Sequence, residues 1–438
     1  MSNNLSLKKI QYENIILLFS YLSLLAGFFF NEDILGEGRS DYLVMRNSSL
    51  FFNIDFFYYI KNYHLLGERH SPIFLIIESL FYKFNISDFF FRLVILHANI
   101  LIIIFFYLSL KFFYKKKNLK ILISFVLISP AFRAGSIWPD SFILGLVFFV
   151  ISIYFFLKFF LYKKFKYAIY NTIILSIASY LSPNFSVFVI FFFIKFILFY
   201  NLNNKKTLYL IILNISLAMP AFYYILFYAT GNFLDPDSAR WVKNISFLSL
   251  QNLSNKILLN SNIIFFYFIP FFFIKKSDLY FKKIFFSNKL LLIISILIST
   301  LLILHFNYND INKNLGGGGI FYKIAINLIY PKLIIFLISV ISIFFLLNLC
   351  LLNKNSDNSI LIFCIFISSP QLTIYHSYFE PMMLIMIFTL FKLNIAKNFF
   401  QTKKHLYFFS IFYVMQFLLF FFKKKITLYI VYVQKILL

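Results

Sequence analysis

The feature that most constrains this chain is a succession of apolar runs, broken by short lysine clusters, that extends from Ile15 to the C-terminal region. An α-helix rises about 1.5 Å per residue, so about 20 apolar residues cross the ~30 Å hydrocarbon core of a bilayer. About twelve to thirteen such spans are predicted across the 438 residues. With 61% hydrophobic residues, 13% charged residues and a mean hydropathy of +0.83, most of this surface has lipid as its solvent. The expected fold is all-α: a polytopic transmembrane helix bundle, forming a single integral membrane domain over residues 1–438. The first apolar run, Ile15 to Phe30, follows Lys8 and Lys9 and is succeeded by acids instead of a small-residue cleavage site. It is therefore expected to remain as the first helix.

The net charge of +25 does not make this a nucleic-acid binder, because the lysines lie between apolar runs instead of gathering in one basic domain. They read as topology signals. Clusters at Lys8 and Lys9, at Lys115 to Lys117 with Lys120, at Lys163, Lys164 and Lys166, at Lys205 and Lys206, at Lys275, Lys276, Lys282 and Lys283, and at Lys403 and Lys404 are expected on the cytoplasmic side. Of the 16 acids, all but Glu13, Asp278 and Asp357 then fall on the opposite side. Lys423 to Lys425 fit this pattern poorly. The N-terminus is thus expected in the cytoplasm, the membrane being the inner membrane of a bacterium. Cys350 and Cys364 both lie inside apolar runs, which suits packing and neither a disulfide framework nor a metal knuckle.

The first external loop, residues 31–88, is the longest and the most acidic. Its segments Tyr42 to Tyr63 and Pro72 to Phe84 are apolar but interrupted or too short to span, which predicts helices lying at the membrane interface. Shorter external loops are expected near Pro130 to Asp140, Gly231 to Asn255, Asn307 to Gly319 and Tyr375 to Pro381.

Chemistry-bearing residues concentrate in these loops. Glu32, Asp33, Glu37 and Asp41 form a dense acidic stretch after the first helix, where a carboxylate can act as general base for an acceptor hydroxyl or amine. A solvated acidic loop is the bland alternative for each. Arg133 is an isolated arginine on this acid-rich side, suited to bidentate phosphate binding or to pairing with Asp140. Glu68, Arg69, His70, Ser71 and Pro72 open a helix, which would place Arg69 and His70 at its positive end, as a cap or as an anion contact. His376 and Glu380 stand together in a late loop, as an interfacial cluster or a substrate contact. Gly316 to Gly319 lacks the strand, Lys and Ser/Thr of a phosphate-binding loop and reads as a flexible turn.

Taken in order, these residues resemble the GT-C type of membrane glycosyltransferases, the group of the protein O-mannosyltransferases and the lipid A aminoarabinose transferase. The likeness covers about the first 200 residues: a first helix, an acidic loop with Asp41-Tyr42, an interfacial helix introduced by His70-Ser71-Pro72, then Phe91-Arg92-Leu93 and the Arg133 to Asp140 loop. The chain departs from the family pattern in lacking an Asp-Glu pair directly before that tyrosine and in having one proline at the interfacial helix. The resemblance implies a polyprenyl-phosphate or polyprenyl-diphosphate sugar donor and a catalytic acid in the first external loop: Asp41, then Asp33 or Glu32. Arg133, Asp140, Arg69, His70, His376 and Glu380 are the expected contacts to donor phosphate and substrate. Some members use a divalent metal, magnesium or manganese, for which Asp140 and a first-loop acid would supply ligands. The acceptor, glycan, lipid or protein, is left open.

Two other classes compete. An O-antigen polymerase or ligase also handles polyprenyl-linked sugars, but commonly places its main external loop late and relies on arginines there. A transporter or flippase would be expected to show internal repeats or charges in mid-span, whereas the charges here gather in loops.

Overall fold

A computed structural model of the chain describes residues 2–36, 38–66, 71–114, 118–227, 249–273, 288–308, 317–351, 356–369, 373–393 and 405–418. Within these residues the fold is all-α, without strands. The first half comprises α1 (Ser2–Phe29), α2 (Gly38–Ile54), α3 (Phe56–Lys61), α4 (Pro72–Lys83), α5 (Asp88–Phe113), α6 (Leu119–Ile128), α7 (Pro130–Ile137), α8 (Ser141–Tyr162) and α9 (Phe165–Leu181). The second comprises α10 (Phe188–Tyr200), α11 (Lys205–Phe227), α12 (Leu250–Phe268), α13 (Lys289–Leu304), α14 (Gly319–Ala325), α15 (Pro331–Leu351), α16 (Asp357–Ile367), α17 (Met382–Thr389) and α18 (His405–Leu418).

Among the described residues, six segments are long and apolar enough to cross a membrane: Tyr12–Phe29 of α1, then α5, α8, Pro183–Tyr200 through α10, Lys205–Tyr224 of α11, and α15. The pair α6 and α7 makes a seventh, bent by 60°. Twelve to thirteen spans were expected. Among the described residues the remaining apolar helices, α13, α16 and α18, are shorter than a straight crossing needs. The 19-residue α12 is long enough, but its buried Asn252, Asn255, Asn260 and Asn262 keep its hydropathy low. Those asparagines face protein, not lipid: Asn255 exchanges two hydrogen bonds with the Asn307 backbone, and Asn262 pairs with Ser339.

Local chemistry sets where the chain turns. Ser71, Ser87, Ser129 and Asp140 each lie in extended backbone and accept a hydrogen bond from a first-turn N–H, so each starts a helix. Pro72 and Pro130 occupy the first helical position, where the missing N–H costs nothing. Pro130 also explains the 60° break, because it forces the preceding Ser129 out of helical backbone. The segment Pro130 to Asp140, expected as a loop, is therefore mostly the buried helix α7.

The centre of the bundle is α8, of which 72% is buried, packed between α9 and α5; α11, at 11%, is peripheral. Phe142 and Phe149 of α8 stack on Phe185 at 5.2 and 4.9 Å, which fixes the start of α8 against the turn after α9. The 22 residues of α8 separate Asp140 from Lys163 and Lys164 by about 33 Å. The end of the bundle that holds Asp140 is where the site lies.

Candidate functional site

A cavity of about 880 Å³ opens at that end, where the loop after α1, the turn between α7 and α8, the turn after α9, the segment around α14 and the segment before α17 converge. Asp41, Asp140, His376 and Glu380 all line it, although they are far apart in sequence. Glu32, Asp33 and Arg133 do not. Arg69 and His70 lie outside the described residues, as do Glu37, Glu68 and Gly316.

The residues behind the cavity wall have structural work. Arg133 is 1% exposed and grips Glu32 with two contacts, Nε to Oε1 at 2.8 Å and Nη2 to Oε2 at 2.5 Å, while also donating to the hydroxyl and carbonyl of Ser23. A guanidinium so engaged has its donors committed to protein instead of phosphate. Asp33 accepts from the N–H groups of Gly36 and Gly38, both at 3.1 Å, and so closes the turn that launches α2. Trp138 donates its indole N–H to Glu32 O at 2.9 Å, and the Arg92 guanidinium lies 3.7 Å from its ring. Arg92 itself donates to Ile137 O and Asn31 Oδ1. Trp138 is thus a keystone joining the first loop to the α7–α8 turn, and it also lines the cavity.

Asp41 is set by the next layer. It stands in the first turn of α2, the turn whose free N–H groups complement negative charge. The following residue, Tyr42, is fully buried and donates to Asp88 Oδ1 at 2.5 Å, an oxygen that also receives Tyr82 OH at 3.0 Å. Burial raises the Tyr42 phenol above its ordinary range, so it stays a donor. Beside them, Glu78 of α4 is fully buried and neither of its oxygens receives a hydrogen bond. The nearby Ser49 and Tyr42 hydroxyls donate elsewhere, to Arg46 O and to Asp88. Burial pushes the Glu78 carboxyl up to about 8.

The opposite wall is built on a glycine turn. Gly317 and Gly318 hold left-handed backbone at φ +92° and +82°, and the Gly318 N–H donates to Ile374 O at 2.8 Å. A Cβ on Gly317 would collide with the Tyr308 hydroxyl and that same carbonyl. The turn expected to be flexible is instead pinned to the segment before α17. That pinning brings α14, which carries Lys323, beside His376, and both line the cavity. The His376 Nε2 pairs with Tyr267 OH at 2.8 Å, the two rings stacking at 5.1 Å, while its Nδ1 has no partner. Burial, with the nearby Lys323 charge, lowers the His376 pKa to about 3, so the imidazole is neutral. Glu380 is 2% exposed; Ser129 and the Ala131 N–H face it, but Oε1 has no partner. Burial pushes its carboxyl up to about 7.

Lys323 was missed in the sequence, where it is a single lysine in a short helix following the glycine run. The available signal was a lysine among loops otherwise rich in acids. For a divalent metal, no group of three or more His, Cys, Asp or Glu side chains stands close enough to hold an ion among the described residues. Asp140 is already engaged as the cap of α8, accepting from Phe142 N at 2.9 Å. Among the described residues, the donor set therefore does not fit a protein-built metal centre. Comparison with protein-family models, with curated proteins and with solved structures finds no match to this chain.

Proposed function

We propose that this chain is a membrane glycosyltransferase of the GT-C type, moving a sugar from a polyprenyl-phosphate or polyprenyl-diphosphate donor to an acceptor on the non-cytoplasmic face of the bacterial inner membrane. The observation that carries the reading is the convergence, in one cavity, of a first-loop carboxylate, Asp41, with a cation from a distant segment, Lys323. The lysines following α8 and α10 support the orientation, since they stand at the far ends of helices that begin beside the cavity.

In the reaction so assigned, Asp41 takes the proton from an acceptor hydroxyl or amine as that atom attacks the anomeric carbon. The bond from this carbon to the phosphate oxygen breaks, its electron pair leaves with the polyprenyl (di)phosphate, and the configuration inverts. Lys323 offers its charge to the departing phosphate, the role that the sequence suggested for Arg133. Asp41 is favoured over Asp33 and Glu32 because it lines the cavity and those two do not.

The test is transfer from radiolabelled polyprenyl-phosphate sugars in proteoliposomes of the full chain. Asp41→Asn should reduce turnover by about 10²-fold or more, the ordinary worth of a general base, with Asp33→Asn keeping most of it. Full activity in Asp41→Asn overturns the assignment.

A further inference from the structure

Two side chains in the cavity wall have no function in the reaction above. His376 and Glu380 lie four residues apart on one turn, both line the cavity, and each retains one buried polar atom, Nδ1 and Oε1, without a hydrogen-bond partner. Leaving such an atom unpaired costs about 1–3 kcal/mol, so two of them on residues that line one cavity leave hydrogen-bonding capacity for a ligand that settles against this wall.

The chemistry of the pair selects the ligand. Phosphate is a poor match, because a neutral imidazole offers it no charge and an ionised Glu380 repels it. With the imidazole neutral and burial disfavouring ionisation of the carboxyl, the two groups supply hydrogen-bond donors and acceptors, which is what neutral hydroxyl groups require. The Tyr267 hydroxyl and its stacked ring hold the imidazole in one orientation, so the free nitrogen presents a fixed direction. Ser129 and Ala131 do the same for the Glu380 carboxyl.

We propose that His376 and Glu380 form a carbohydrate subsite that binds ring hydroxyls of the transferred sugar, separate from the anion contact at Lys323. This rests on the glycosyltransferase reading and adds to it where sugar specificity is decided. A site built to hydrogen-bond a hydroxyl discriminates strongly against ligands that lack it, since the buried groups are then left unpaired.

Binding separates this subsite from the rest of the reading. The full-length protein in lipid nanodiscs is titrated with undecaprenyl phosphate alone and with undecaprenyl phosphate carrying glucose, mannose, galactose or 4-amino-arabinose. The wild type should bind at least one sugar-linked lipid more tightly than the bare phosphate lipid. In Glu380→Gln and His376→Asn that sugar-dependent gain should shrink by about 5- to 100-fold, matching the loss of one or two buried hydrogen bonds, while affinity for bare undecaprenyl phosphate stays within about twofold. Equal weakening toward both kinds of lipid, or an intact gain in both variants, overturns the subsite. Absence of any gain in the wild type overturns it also, leaving the lipid-phosphate reading in place. If the wild type binds none of these lipids, the glycosyltransferase reading itself fails. Thermal unfolding of each variant checks its fold, and Glu380→Gln, which removes a buried acid, should unfold no earlier than the wild type at pH 8.

Discussion

At the residue scale, the acids of the first loop look alike in sequence and differ sharply in the fold. Glu32 has a buried arginine as partner, Asp33 closes a turn, and Asp41 alone of the three lines the cavity. The Glu32–Arg133 pair makes a clear prediction. Removing one partner strands the other charge, and for buried pairs this costs about 3–5 kcal/mol. Glu32→Gln and Arg133→Met should each lower the thermal unfolding temperature markedly, and the double variant should be no worse than either single one. Unfolding in detergent, followed by fluorescence, measures this. A Glu32→Gln protein of wild-type stability that transfers no sugar would instead make Glu32 the base. Lys323, unlike Arg133, lines the cavity, so Lys323→Gln should weaken binding of the bare polyprenyl phosphate, which titration of the variant measures.

At the element scale, the glycine turn before α14 sets the shape of the site. Gly317→Ala places a side chain in left-handed backbone, costing about 1–2 kcal/mol, and drives its methyl group against Tyr308 and Ile374. The expected outcome is a lower unfolding temperature together with reduced transfer, measured on the same preparation, because α14 and the His376 segment lose their mutual pinning. Stability at the wild-type level would mean that the turn yields freely. Elements of this kind also show what was legible beforehand. The Ser71-Pro72 start of α4 and the apolar spans α5 and α8 follow from caps and composition, both local properties. Pro130 was equally visible, but whether a proline ends a helix or bends one depends on what packs beyond it, so α7 read as a loop. The number of straight spans is hard to read from sequence for a related reason: a short apolar helix and half of a broken span have the same composition. In the site, Asp41, Asp140, His376 and Glu380 could be nominated one by one, because acids and histidines are scarce in this chain. Their convergence, and the arrival of Lys323, depend on contacts such as Gly318 to Ile374 between segments over 50 residues apart, which periodicity does not encode.

At the scale of the whole molecule, buried titratable groups at the cavity end link stability to pH. Glu78 and Glu380 have folded pKa values of about 8 and about 7, above the ordinary 4.5 of an exposed glutamate. Between pH 4.5 and those values the folded chain holds protons that the unfolded chain has released, so stability falls as pH rises through this window. His376 acts in the reverse sense: its folded value of about 3 lies below the usual 6.5, so between pH 3 and 6.5 it favours folding as pH rises. The opposing slopes cancel in part below pH 6.5, and above it, of these three groups, only the carboxyls contribute. The unfolding temperature should therefore decline from about pH 6.5 to 7.5, with Glu78 the larger contributor, at about 1.4 kcal/mol for each pKa unit displaced. Glu78→Gln keeps the shape of the side chain and removes its titration, so its profile should be flatter across this range and lie above the wild type at pH 8.5. Transfer should follow, because Glu78 packs beneath α2, the helix that presents Asp41, and a charge forced into that contact loosens it. An unchanged slope in Glu78→Gln would mean that this carboxyl is solvated or paired in the folded protein, and that the joint between α2 and α4 tolerates its charge.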